Sequence, residues 1–150
     1  MKKLLVIFIL ICSSTGSIYS QNKTIEGKVV SEFFETLPGV SIMINDTVEV
    51  GKTDLDGSFK IVIPDSEKKI LFKSLGLEPT TIEIVDKCSK IEIVMMLNCT
   101  YDFISLKRAE RKRWKRYRRL PEIHEQAFEK GLFETKYACY NREFEVHHPR

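Results

Sequence analysis

The sequence predicts a mainly-β fold: a seven-strand antiparallel β-sandwich followed by a short basic helical extension. Three observations predict it. Short segments rich in β-branched residues recur through the first two thirds of the 150 residues, and several alternate apolar and polar side chains with period two. No helix-length periodic segment precedes residue 103, which argues against a βαβ plan. The charge also changes sign near Asn98 to Asp102. Residues 21–100 hold nine Lys and no Arg against thirteen acids, a net of −4, whereas residues 101–150 hold thirteen Lys and Arg against eight acids, a net of +5. Three segments follow: a leader over 1–20, a β domain over 21–100 and a basic helical tail over 101–150.

In the leader, Lys2 and Lys3 precede the apolar run Leu4 to Ile11 and a small polar stretch from Cys12 to Ser17. That is the pattern of a secretory signal peptide, with cleavage expected after Ser20. Eight apolar residues are too few to span a bilayer, which takes about 20. A lipid on Cys12 is the competing reading, but lipoprotein leaders place a small residue before the cysteine and here that residue is Ile11. No later apolar run is long enough to cross a membrane. An exported chain with no transmembrane segment after signal removal is expected.

The expected strands are Thr24–Val30, Val40–Ile44, Val48–Lys52, Ser58–Ile63, Lys69–Lys73, Thr80–Ile84 and Ile91–Leu97. Val40, Ile42 and Ile44 point one way and Ser41 and Met43 the other; Phe59, Ile61 and Ile63 alternate likewise with Lys60 and Val62. One apolar face per strand, with turns every eight to twelve residues, is the signature of two packed antiparallel sheets. Between two strands lies "KTDLDG", Lys52 to Gly57, which superficially opens a calcium loop. With Gly57 at the sixth position of such a loop, Lys52 stands where the first carboxylate belongs and Ile63 where the bidentate Glu belongs. An ammonium repels the cation and an alkyl chain cannot coordinate it. Asp56-Gly57 is a favoured hairpin turn, because Gly accepts a positive φ cheaply.

Four spaced motifs, Ile25-Glu26-Gly27-Lys28-Val29, Leu37-Pro38-Gly39-Val40-Ser41-Ile42, Gly51-Lys52-Thr53-Asp54-x-Asp56-Gly57-x-Phe59-x-Ile61 and Leu71-Phe72-Lys73-Ser74-Leu75-Gly76, resemble the carboxypeptidase regulatory-like domain. The resemblance covers roughly residues 23–97. It implies a transthyretin (prealbumin)-like sandwich, found beside the catalytic domain of some metallocarboxypeptidases and at the N-terminus of many TonB-dependent outer-membrane transporters of the Bacteroidetes. Such domains are non-catalytic accessories, so the resemblance implies a binding or assembly module in the periplasm or at the outer-membrane periphery. An accessory acting in trans with a separate peptidase or transporter is the alternative.

The tail is dominated by cations: nine of the thirteen residues from Lys107 to Arg119 are Lys or Arg. At about 100° per residue, Leu106, Ala109, Trp114, Tyr117 and Leu120 form one narrow stripe, interrupted by Glu110 and Arg113. Ser105 suits the N-cap, Pro121 starts a second helix, and Gly131 ends it. The stripe is expected to pack on the sandwich. Lys107, Arg108, Arg111, Lys112, Lys115, Arg116, Arg118 and Arg119, with Trp114, are left as a solvated face or as the contact for an anionic lipid or lipopolysaccharide surface or an envelope protein. Nucleic acid is not expected as a partner outside the cytoplasm.

Catalytic signatures fail one by one. "HEQAF", from His124, lacks the second histidine of His-Glu-x-x-His because Phe128 holds its place. His147 and His148 belong to a chain end, which does not fix coordination geometry. No nucleophile elbow, P-loop or dinucleotide fingerprint occurs. No enzyme, no cofactor and no metal are expected. The cysteines after the leader are Cys88, Cys99 and Cys139. Cys88 and Cys99 flank a strand about 23 Å long at ~3.3 Å per residue, beyond the reach of a bridge. Cys99–Cys139 is the expected pair, with Cys88–Cys139 the competitor and three free thiols the remaining option.

Overall fold

A computed structural model of the chain describes residues 21–85 and 88–144. The expected leader with Cys12, and His147 and His148, lie outside the described residues. The elements in order are β1 (Asn22–Ser31), β2 (Ser41–Ile44), β3 (Val48–Lys52), β4 (Ser58–Pro64), β5 (Lys69–Lys73), β6 (Thr80–Ile84), β7 (Lys90–Met95), α1 (Leu106–Tyr117), α2 (Leu120–Glu129) and β8 (Tyr140–Arg142). Seven strands stand within a residue or two of the expected segments. The eighth corrects the count.

The strands form two sheets, one in the order β4-β1-β7 and one in the order β3-β2-β5-β6-β8. The expectation of purely antiparallel pairing is also corrected, because β1 and β7 run parallel in register Gly27 to Ile91 and Val29 to Ile93. Between them the chain crosses to the five-stranded sheet and back, so no hairpin dictates their relative direction. One continuous core joins the two sheets. β1 contributes Ile25 and Val29, β4 Phe59, Ile61 and Ile63, and β7 Ile91, Ile93 and Met95, against Ile42, Ile44, Ile70, Phe72, Ile82 and Ile84 of the larger sheet.

β7 is buried on both faces. Its other face turns Val94 outward, with Met96 just beyond, and these join Val30 in packing against Leu120, Ile123, Ala127 and Phe133. The helical hairpin therefore adds a third layer over the three-stranded sheet, which explains why "IEIVMM" shows no clean alternation.

The motif residues serve this frame. At Gly27 a Cβ would lie 1.7 Å from the Ile91 carbonyl oxygen, so only glycine allows β1 and β7 to pair there. The Thr53 hydroxyl accepts from Val40 N (2.9 Å) and donates to Leu37 O (2.6 Å), fixing the Pro38-Gly39 turn. Asp54 to Gly57 form a turn closed by Gly57 N donating to Asp54 O at 3.0 Å. This turn is a corner between sheets and not the expected hairpin, since β3 and β4 belong to different sheets. Gly57 has φ +79°, and a Cβ on it would meet Val29 O at 2.5 Å. The Asp56 carboxylate accepts from Ser58 N (3.2 Å) and Ser58 Oγ (2.9 Å).

The tail does not stand apart from the sheets. β8 pairs antiparallel with β6, Ile82 opposite Arg142 and Ile84 opposite Tyr140. It also closes the exposed edge of β7. The Tyr140 hydroxyl donates to Glu92 O at 3.1 Å and the Arg142 guanidinium donates to Val94 O, while Glu78 N, just ahead of β6, donates to Met96 O at 2.9 Å. Capping an edge strand in this way removes a template for pairing with other chains. The disulfide joins Cys88 to Cys139, Cα atoms 5.9 Å apart, and Cys99 is free and exposed. The expected Cys99–Cys139 pair is thereby corrected: the returning tail reaches the start of β7, whereas Cys99 follows its far end.

Candidate interaction surface

α1 begins at Ser105, whose carbonyl accepts from Arg108 N (2.9 Å) and Ala109 N (3.0 Å) while its hydroxyl makes no cap bond. The first turn of α1 carries no acid, and Lys107 and Arg108 place positive charge at the positive end of the helix dipole. Like charges at i,i+4 spacing, as in Lys107, Arg111 and Lys115, repel further. The helix is held by what lies beneath it.

Beneath it are two acids. Arg113 is buried, and its Nε donates to Glu78, itself 4 % exposed, at 2.9 Å. Arg116 forms a bidentate pair with Glu32 through Nε and Nη2, and donates to Leu97 O at 2.7 Å and to the Tyr101 hydroxyl at 3.3 Å. The Glu32 bond raises the Arg116 pKa above its already high ordinary value, so this guanidinium is charged at every relevant pH. The inward stripe is therefore rotated from the expected one. It runs through Ala109, Arg113, Arg116, Tyr117 and Leu120, while Leu106 is 63 % exposed. Arg116, expected among the outward cations, is an internal anchor.

The other seven expected cations, Lys107, Arg108, Arg111, Lys112, Lys115, Arg118 and Arg119, are exposed. Projected at 100° per residue they cover about 140° of the circumference, on a helix about 18 Å long. Lys112 lies over the Tyr101 ring, 5.8 Å from its centroid. Trp114, 43 % exposed, borders this face, stacked on Tyr117 at 5.4 Å and meeting Phe144 edge-on at 4.8 Å. Phe103 is fully exposed next to the helix start. The result is a rigid cationic face with an aromatic border, the arrangement that suits an anionic interface.

Three inward acids went unnoticed in the sequence, Glu78 and Glu92 buried and Glu32 part-buried. Glu92 accepts from Glu134 N (2.7 Å), Thr135 N (2.8 Å) and the Thr135 hydroxyl (2.5 Å), and so fastens the segment after α2 to β7. The only signal available was an acid inside an otherwise apolar strand. His124 is buried, not a surface ligand. Its Nε2 donates to Thr135 O at 3.1 Å, its ring packs on Phe133 at 4.8 Å, and burial lowers its pKa. Among the described residues no three His, Cys, Asp or Glu side chains cluster as a metal site, and no helix is long and apolar enough to cross a membrane.

Comparison with known proteins bears on this geometry. A profile of the CarboxypepD_reg-like domain matches residues 25–101. The chain is 32 % identical over 85 residues to TonB-dependent receptor P3 of Formosa agariphila; the matched stretch is 56 % of this chain and 8 % of the receptor. Among solved structures, the major plantain pollen allergen Pla l 1 aligns over 56 % of this chain and all of its own, at 11 % identity and a TM-score of 0.33, too low to carry an argument.

Proposed function

The chain belongs to the CarboxypepD_reg-like domain family, and from that premise we propose that it is an exported, non-enzymatic accessory of the cell envelope that docks through its cationic helix on an anionic surface. The likeness to a TonB-dependent receptor supports an envelope setting, at the outer-membrane periphery. The motif residues shared with the family are occupied by folding tasks, which supports a scaffold in place of a catalyst.

One observation carries the docking reading: α1 violates helix-charge rules along its outward side while two ion pairs, one of them buried, hold it firmly in place. Local rules are broken in this manner at functional surfaces. Anionic headgroups attract basic residues by about 1 kcal/mol each close to the surface. Co-sedimentation of the full chain with vesicles containing phosphatidylglycerol, against neutral phosphatidylcholine vesicles, tests it. Binding is expected at low salt and lost at high salt, and reversing Arg111, Lys115 and Arg119 to Glu weakens it about 100-fold or more. Equal binding to neutral vesicles sinks the lipid reading.

The likeness to a receptor favours a second reading, in which the module serves a separate peptidase or transporter in trans. Capture of such a partner that survives the same charge reversals places recognition on the sheets.

A further inference from the structure

A groove of about 530 Å³ opens between the α1–α2 corner and β8, within the size range of small-molecule sites. Val94, Leu120 and Pro121 give it an apolar floor, and the rings of Tyr117 and Tyr140 flank it. Among the described residues its charged lining is all of one sign: Arg118 and Arg142 contribute to the wall, and no Asp or Glu does.

Arg142 is the telling residue. Its guanidinium donates to Val94 O and to the Thr80 hydroxyl (2.8 Å) and faces the Tyr117 ring at 5.8 Å. These partners are neutral. No carboxylate among the described residues is within ion-pairing reach; Glu78 and Glu32 act on it only at a distance, and the adjacent Glu143 is taken by Lys69 at 2.6 Å. A part-buried guanidinium with five donors, two of them used, at the side of an apolar groove is short of an anion. The planar fork of Arg matches a carboxylate, and the aromatic flanks match a flat apolar body.

We propose that this groove binds a small amphipathic carboxylate, its carboxylate on Arg142 with Arg118 at the mouth and its apolar body between Tyr117 and Tyr140 over Leu120. The site shares only Arg118 with the cationic face, and its anchoring residue, Arg142, lies outside that face.

The test is an NMR titration of the full chain with sodium phenylacetate, with phenethylamine as the same ring carrying the opposite charge. Saturable shifts at Leu120, Ala138 and Asn141 are expected with phenylacetate in the millimolar range or below, and none with phenethylamine. Ala138 is exposed, so Ala138→Trp fills the groove without entering the core and abolishes the shifts. Arg142→Gln weakens binding about tenfold or more, the value of a charge-assisted hydrogen bond, and Arg142→Lys recovers part of it. None of these variants alters a cation of the vesicle-binding face, so vesicle binding persists in all of them. Absent shifts, an equal response to phenethylamine, or undiminished binding in Ala138→Trp overturns the proposal. Binding that emerges only after deletion of residues 145–150 overturns it too, by showing that the chain's own end fills the groove.

Discussion

At Gly27 the molecule leaves no room for a side chain. A methyl there would overlap the Ile91 carbonyl, so Gly27→Ala separates β1 from β7 and is expected to cost about 3 kcal/mol or more, read as a lowered urea midpoint. The Arg113–Glu78 pair acts differently. Removing only the cation in Arg113→Met strands a buried carboxylate and costs about 3 kcal/mol, whereas Arg113→Met combined with Glu78→Met recovers most of that, since two apolar side chains carry no desolvation penalty. Urea titration of the single and double variants checks it. His124 sets the acid side of the stability profile. Burial is the main cause of its lowered pKa; the Thr135 carbonyl and the Glu92 charge pull the other way. Its Nδ1 is buried without a partner among the described residues, so a proton there finds no acceptor. The unfolded chain takes up that proton first, near pH 6.5. This contribution is therefore complete above that pH and lost as pH falls below it, and His124→Leu flattens the profile below about pH 6.5. Tyr140 sets the alkaline side. Burial pushes its pKa up to about 12, so the unfolded chain ionises first and stability declines as pH rises past about 10.

At the scale of elements, the strands were legible and the last one was not. Phe59, Ile61 and Ile63 announce β4 because one face is buried and the other solvated. Tyr140-Asn141-Arg142 is too short for any period and becomes β8 only because β6 offers it an edge. The helical hairpin was legible through Pro121 and Gly131, but its rotation was not. Periodicity counts Arg113 and Arg116 as polar, and nothing in the sequence reveals that Glu78 and Glu32 wait beneath them. The cysteine pairing shows the same boundary. Strand length excluded Cys88–Cys99, but which end of β7 the tail revisits is set by Glu92 and by β6, both remote in sequence. The bridge that results closes a loop of sequence separation 51, for which chain entropy gives about 4 kcal/mol. Cys139→Ser is expected to lose about that much in urea titration, and reduction of the native chain to lose the same.

As a whole, the molecule is two sheets on one core with a helical layer laid across the smaller sheet, and its last strand crosses back to finish the larger one. The family motifs made the sheets readable because they encode backbone approaches, Gly27 on Ile91 and Gly57 on Val29. The interaction surface was readable only as a composition, since which cations face outward depends on the acids that turn the others inward. The link from Cys88 to Cys139 has a further consequence. The whole cationic stretch lies inside a covalent ring, so an extracellular protease that cuts after Arg111 or Lys115 opens the ring without dividing the molecule. The nicked protein migrates as one species until a thiol reagent is added, and only then separates into two fragments.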